Sequence, residues 1–282
     1  MGIFLGALEQ SLLLLPLVFG IYLSYRILRV TDLTMDGTYI LGAAVYARMI
    51  DFGPIQAMSL SVLAGGFIGV LVGFMQRHNR VSDLVVGILA SFMLYSVNLQ
   101  VLGRPNISLI GKQTLLTGVT IDNWVTALLI IAVILYLGMV LLLKSKMGLY
   151  LRAFGENQKL LHVLGKPAEG YRAFGLSLGN ALASLSGALT ASVNGFADIN
   201  MGLGVALIGI GAVVIGGQIL INPSANFHAF KGLASCFLGI LLYFLCLNIL
   251  LMMGVNPVNL KLILGLILFF SLRSMRFIGV MQ

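Results

Sequence analysis

Four acidic residues fall inside or beside otherwise apolar sequence: Glu9, Asp32, Asp36 and Asp198. A carboxylate in such a setting has three chemical uses. It caps a helix N-terminus, lines a polar solute path, or exchanges a proton or cation. Asp32-Leu33-Thr34-Met35 and Asp198-Ile199-Asn200-Met201 repeat one local pattern, as expected of paired broken helices in an inverted repeat. For Asp32 and Asp198 the capping role is at least as well supported. Asp36 is followed at once by Gly37, which fits an interrupted helix or a cavity wall. Motifs for covalent or hydrolytic chemistry are missing. Gly165-Lys166 runs into Pro167 rather than completing a phosphate-binding loop, and neither H-E-x-x-H nor G-x-S-x-G occurs. His78, His162 and His228 are scattered, so no metal site is expected. Cys236 and Cys246 would lie about 15 Å apart on one helix, too far for a disulfide. No catalytic residue is assigned, and an enzyme is disfavoured.

The elements that must position these groups are membrane spans. Of 282 residues 59% are hydrophobic and 9% charged, with a mean hydropathy of +1.04. Soluble domains carry about 25% charged residues. At about 20 residues per span the chain accommodates at most about ten. Nine apolar runs can be drawn, at 3–25, 33–51, 54–76, 82–102, 123–143, 171–193, 202–221, 230–253 and 258–275. They are continuous rather than alternating, which argues against a β-barrel. The first lacks a basic start and a cleavage site, so a retained helix is expected. The fold class is therefore all-α: one polytopic helix bundle over 1–282, with about 8–10 spans, some broken or re-entrant.

A net charge of +8 would suggest a nucleic-acid partner in a soluble protein. Here it reads as topology. If the loop at 144–170 is cytoplasmic and the runs alternate, thirteen of the seventeen Lys and Arg residues fall inside. Arg48, Arg104, Lys112 and Lys261 fall outside. The positive-inside rule then puts the N-terminus outside and the C-terminus inside, with Trp124 as an outer interfacial anchor. Gly65, Gly69 and Gly73 share one helical face suited to close packing, as do Gly209, Gly211, Gly216 and Gly217 further on.

Six basic residues lie between 144 and 172. This loop is too polar to span and too long for a hairpin. It reads as short helical pieces hinged at Gly155 and Gly165, with apolar residues at 160, 161, 163 and 164. Helix-in-groove docking of a partner and rest on anionic lipid suit it equally.

Gly148, Arg152, Ala153, Gly155 and Asn157, followed by Leu164-Gly165, form a pattern similar to the cytoplasmic coupling loop of ABC transporter permeases of the branched-chain amino acid and ribose type. Asp32-Leu-Thr-Met-Asp36-Gly37-Thr38-Tyr-Ile-Leu-Gly42-Ala-Ala resembles a stretch of the tryptophan/tyrosine import permeases within it. So do Tyr95-Ser96-Val-Asn98, Leu176 to Leu189, Asn194-Gly195-Phe196-Ala-Asp198-Ile-Asn200-Met-Gly202 and Val258 to Leu262. Gln158, Lys166-Pro167 and Asn194 depart from the pattern. The resemblance implies a type II-like ABC importer permease in the bacterial inner membrane, working by alternating access on a small polar solute, an amino acid, aromatic ones included. A sugar or nucleoside is the alternative solute; an ion-coupled secondary transporter is the alternative class. It further implies a second permease copy, two ABC ATPase subunits that hold the ATP and magnesium, an extracytoplasmic substrate-binding protein, and no cofactor on this chain. Gly148, Arg152, Ala153, Gly155, Glu156, Asn157 and Gly165 would couple to the ATPase. Asp36, Gly37, Thr38, Asn98, Asn194, Phe196, Asp198 and Asn200 would line the pathway.

Overall fold

The computed structural model describes residues 2–77, 82–115, 121–220 and 228–255, with 262, 265 and 266. The ninth apolar run, with Lys261, Arg273 and Arg276, lies largely outside these, as do His78 and the Asn222-Pro223 break. Within them the regular elements are helices and two three-residue strands. In order come α1 (Gly2–Ile21, extended by a π-helical turn, Tyr22–Ile27), α2 (Thr34–Met49), α3 (Pro54–Met75), α4 (Asp83–Leu102), β1 (Asn106–Ser108) and α5 (Ile121–Lys144). They are followed by α6 (Lys146–Glu156), α7 (Gln158–Val163), α8 (Ala168–Asn194), β2 (Phe196–Asp198), α9 (Val205–Leu220) and α10 (Ala229–Met252).

Among the described residues six helices are long and apolar enough to cross a membrane: the extended α1, α3, α4, α5, α8 and α10. The runs at 33–51 and 202–221 do not make full spans. Each yields a helix of 16 residues, about 24 Å long at 1.5 Å per residue and shorter than a ~30 Å hydrocarbon core. Hydropathy registers their apolar content but not where they start, and both start next to a polar break.

α8 is the axis of the bundle. α1, α2 and α3 all pack on it, and Gly175, Gly179 and Gly187 let them approach closely. The expected glycine face of α3 is one side of this seam. A Cβ on Gly65, Gly69 or Gly73 would lie 2.3–2.7 Å from α8 atoms. Lipid gives no hydrophobic reason for two helices to associate, so dispersion at close backbone contact supplies it. Pro16 removes from the ladder of α1 the hydrogen bond to the Leu12 carbonyl, and Ser186 of α8 donates to the neighbouring Leu13 carbonyl at 2.6 Å. On the far side of α1, Gly216 of α9 and Gly239 of α10 bring those two backbones together. Cys236 and Cys246 are free thiols on α10.

At the end where α4 and α8 finish, each helix stops on a left-handed glycine, Gly103 and Gly195. The chain then extends, and β1 and β2 pair antiparallel with Asn106 opposite Asp198. Lys112 and Asp51 form an ion pair at this end. At the opposite end α6 and α7 lie against the start of α8 and the end of α1.

Candidate functional site

The residues singled out in the sequence fall into three groups. The first is the break before α2. After the π-helical turn the chain leaves the helix until Thr34, and Asp32 folds back on this break. Its Oδ1 accepts from the Thr34 N–H at 2.9 Å and its Oδ2 from Asn180 Nδ2 at 2.7 Å. Asn180 in turn accepts from the Thr38 hydroxyl at 2.9 Å. Asp32 is 4% exposed, and Thr38, Asn98 and Asn180 are fully enclosed. Asn98 Nδ2 donates to the Gly37 carbonyl at 2.9 Å, while Ser91 donates to that of Leu33 at 2.8 Å. Thus α2 starts opposite the middle of α8 and α4, and polar side chains from both satisfy its first turn. Among the described residues, the buried Oδ1 of Asn98 and Oγ1 of Thr34 have no hydrogen-bond partner.

Asp36 does something different. Its Oδ1 accepts from the Ala206 N–H at 2.6 Å and its Oδ2 from the Gly204 N–H at 3.2 Å. Gly202 packs against the Asp36 carbonyl. The first N–H groups of α9 have no intrahelical partner, and the helix dipole favours a negative charge there. Asp36 therefore caps α9 from another helix. Gly37, Thr38 and Asn98, expected on a pathway, are enclosed by helix packing in this conformation.

The second group is the ribbon at the other side of α8. Asn194, Phe196 and Asn200 are exposed and Asp198 is partly exposed. Asp198 Oδ1 accepts from the Asn200 N–H at 2.8 Å, and its Oδ2 from Asn106 Nδ2 at 2.9 Å. The Asn106 amide, then the Asn200 backbone, hold its carboxyl below the ordinary carboxylate range. Asp32 and Asp198 thus make the same two bonds, one to the N–H two residues on and one to an asparagine amide from another element. The paired sequence pattern carries paired geometry, although one aspartate is buried and the other open.

The third group is the 144–170 loop. Ser145 caps α6 at the Gly148 N–H, and Gly148, Leu151 and Phe154 are its buried face. Gly148 fits closely against the Leu142 and Leu143 backbone, and Arg152 Nε donates to the Gly148 carbonyl at 3.3 Å. Ala153 and Arg152 are half-buried, while Met147, Leu149 and Glu156 face outward. The hinge expected at Gly155 is not there: α6 continues through it to Glu156, and the break comes at Asn157. Gly155 serves close approach instead. A Cβ there would lie 2.0 Å from the Ile27 carbonyl oxygen, so no larger residue fits against the end of α1. Asn157 Oδ1 accepts from the Lys159 N–H at 3.0 Å and so starts α7. Gly165 does end that piece, at a φ of +65°.

Sequence reasoning missed Arg172. Charge counting puts it on the inner side at the start of the 171–193 run, yet it is 1% exposed and is the largest fully buried side chain among the described residues. Its only sequence signal is position, an arginine one turn inside a long apolar helix. It borders a cleft of about 390 Å³ lined also by Arg29, Ser82, Asp83, Gly155 and Glu156.

Six apolar helices among the described residues, with the polar break at Asp32 enclosed between them, define a multi-pass membrane protein. The family model described as branched-chain amino acid transport system / permease component matches residues 3–272, and the chain belongs to that family. It is 57% identical to an uncharacterized protein of Rickettsia prowazekii (strain Madrid E) over 98% of this chain and 99% of that one. To the tyrosine transport system permease protein of Clostridioides difficile (strain R20291) it is 32% identical, over 94% of this chain and 88% of the relative. To the autoinducer 2 import system permease protein LsrC of Escherichia coli (strain K12 / DH10B) it is 31% identical over 172 residues, 60% of this chain and 49% of that protein. No solved structure matches. The chain is a permease component of an ABC transport system and is not itself an enzyme.

Proposed function

We propose that this permease imports an amino acid, an aromatic one such as tyrosine, across the bacterial inner membrane, driven by ATP hydrolysis on separate subunits. The observation that carries the reading is α6. One face, Gly148, Leu151 and Phe154, is buried on the bundle, and Gly155 seats the helix on the end of α1. On its other face Leu149 and Glu156 stand free for a partner. A force applied there reaches the spans directly. We assign α6 and α7 to the cytoplasmic side, each copy of a permease homodimer receiving one ATPase that holds ATP and magnesium.

Two sets of residues support that orientation. The segments at 26–32, 82–83 and 144–172, which positive-inside counting puts inside, line one cleft. The segments around Asp51, Lys112 and Asp198, which it puts outside, gather at the opposite end. The exposed ribbon residues Asn194, Phe196, Asp198 and Asn200 would then meet the substrate-binding protein and the entering solute. The matched bonds of Asp32 and Asp198, and the 16-residue helix after each break, support an inverted repeat relating α1–α3 to α8–α10. Opening of the enclosed Asp36, Gly37, Thr38 and Asn98 cluster would accompany the switch between access states.

The amino acid assignment draws on the tyrosine transport relative, which aligns over nearly its full length. The similarity to the autoinducer 2 import permease favours, as a second reading, a small solute of another class such as a sugar or nucleoside. Purifying the permease with an ABC ATPase of its own genome tests the docking. Arg152→Glu should release the ATPase while leaving the folded permease, and Gly155→Pro should release it by unseating α6 from the end of α1. Retention of the ATPase in both variants would refute the assignment.

A further inference from the structure

Arg172 is placed where four elements meet. It lies one turn into α8, and its Nη1 donates to the Gln76 carbonyl at 2.5 Å. That carbonyl belongs to the C-cap of α3, where the helix dipole favours a cation. Asp83 Oδ1, in the first turn of α4, is 3.8 Å from the same nitrogen, and Glu169 Oε2 of α8 is 3.8 Å from Nε. On its other side the guanidinium lies 5.2 Å from the ring centre of Phe154, on the buried face of α6. A planar cation can hold oxygens at its edge and a ring against its face at once, which lysine cannot do. A charge at 1% exposure is costly unless each of these partners stays in place. When α6 moves, Phe154 moves, and the guanidinium must either follow it or lose its stacking partner.

We propose that Arg172 is a positioning residue that transmits displacement of α6 to the ends of α3, α4 and α8. The inference rests on α6 being the surface an ATPase presses. Phe154 is the input contact, and the Gln76 carbonyl and Asp83 are the outputs. The cleft beside it, lined by Leu28, Val30, Ser82 and Gln158, leaves room for α6 to shift relative to the helix ends.

The test uses the permease–ATPase complex in lipid nanodiscs, with hydrogen–deuterium exchange read nucleotide-free and after trapping with ATP and vanadate. In the wild type, trapping should change exchange at least threefold both in α6 and in peptides covering 70–77 and 82–90. In Arg172→Met the ATPase should remain bound and the change in α6 should persist, while the change in the two helix-end peptides is lost. Arg172→Lys should restore part of it, since it keeps the charge between Gln76 and Asp83. If Arg172→Met proves unfolded, Phe154→Leu provides the second arm. It leaves the oxygen partners intact and should also lose the change at the helix ends. Transmission unchanged in either folded variant, or absent in the wild type, overturns the proposal. Failure of the wild-type permease to bind any ATPase overturns the reading beneath it.

Discussion

Replacing Asp36 isolates what holds the second broken helix in place. Its two oxygens accept from the Ala206 and Gly204 N–H groups at 2.6 and 3.2 Å, across from one short helix to the start of the other. A hydrogen bond to a charged group contributes roughly 1.5–3 kcal/mol. The longer bond is the weaker, so the pair is worth about 3–4 kcal/mol, with about 0.5 kcal/mol more from the helix dipole. Asp36→Ala removes both acceptors and leaves two N–H groups away from water. It should destabilise the permease by about 3 kcal/mol or more. Asp36→Asn keeps one acceptor, turns an amide donor toward the other N–H, and should cost about half as much. Unfolding by dodecyl sulfate in mixed micelles measures both, using the fluorescence of Trp124, the single tryptophan, at the start of α5. An Asp36→Ala protein within about 1 kcal/mol of wild type would refute the capping argument, because those N–H groups would then have found other partners without loss.

Further expectations follow from other contacts. Gly65→Ala puts a methyl 2.4 Å from the Ser184 side chain and should cost about 1–3 kcal/mol in the same unfolding assay. Gly66→Ala, whose Cβ would meet nothing nearer than 3.4 Å, should be close to neutral. Asn180→Ala strips the buried Asp32 of one donor and Thr38 of an acceptor; a loss of about 2–4 kcal/mol is expected in the same titration. The Asp198 carboxyl is held below its ordinary 3.8, so its contribution to the ribbon is fully present above that value. It fades as pH falls through the lowered folded-state value. Hydrogen exchange of the 196–200 amides against pH should show this loss, and Asn106→Ala should move it toward 3.8.

The spans were legible because their signal is continuous apolar composition, and the docking loop because its charge interrupts that composition. The two short helices were read as spans, since hydropathy over 33–51 and 202–221 does not reveal that each chain segment begins beside a buried break. The breaks themselves were legible at Asp32 and Asp198. The partner of Asp36 was not, because the bond joins residues 168 and 170 positions apart. The ribbon was invisible for a different reason, as strands of three residues are too short to show a period of two. Arg172 misled most. In a count of charges, a buried arginine reads the same as one in a loop, and only packing against Gln76 and Phe154 separates them.

In the proposed mechanism this permease moves solute by ATP hydrolysis on docked partners. Its most direct test is uptake of labelled tyrosine and of a panel of other small solutes into proteoliposomes holding permease, ATPase and binding protein. Uptake should require ATP on the ATPase side and persist when ionophores dissipate every ion gradient. Uptake that proceeds without ATP and collapses with the gradient would contradict the account and identify an ion-coupled carrier instead.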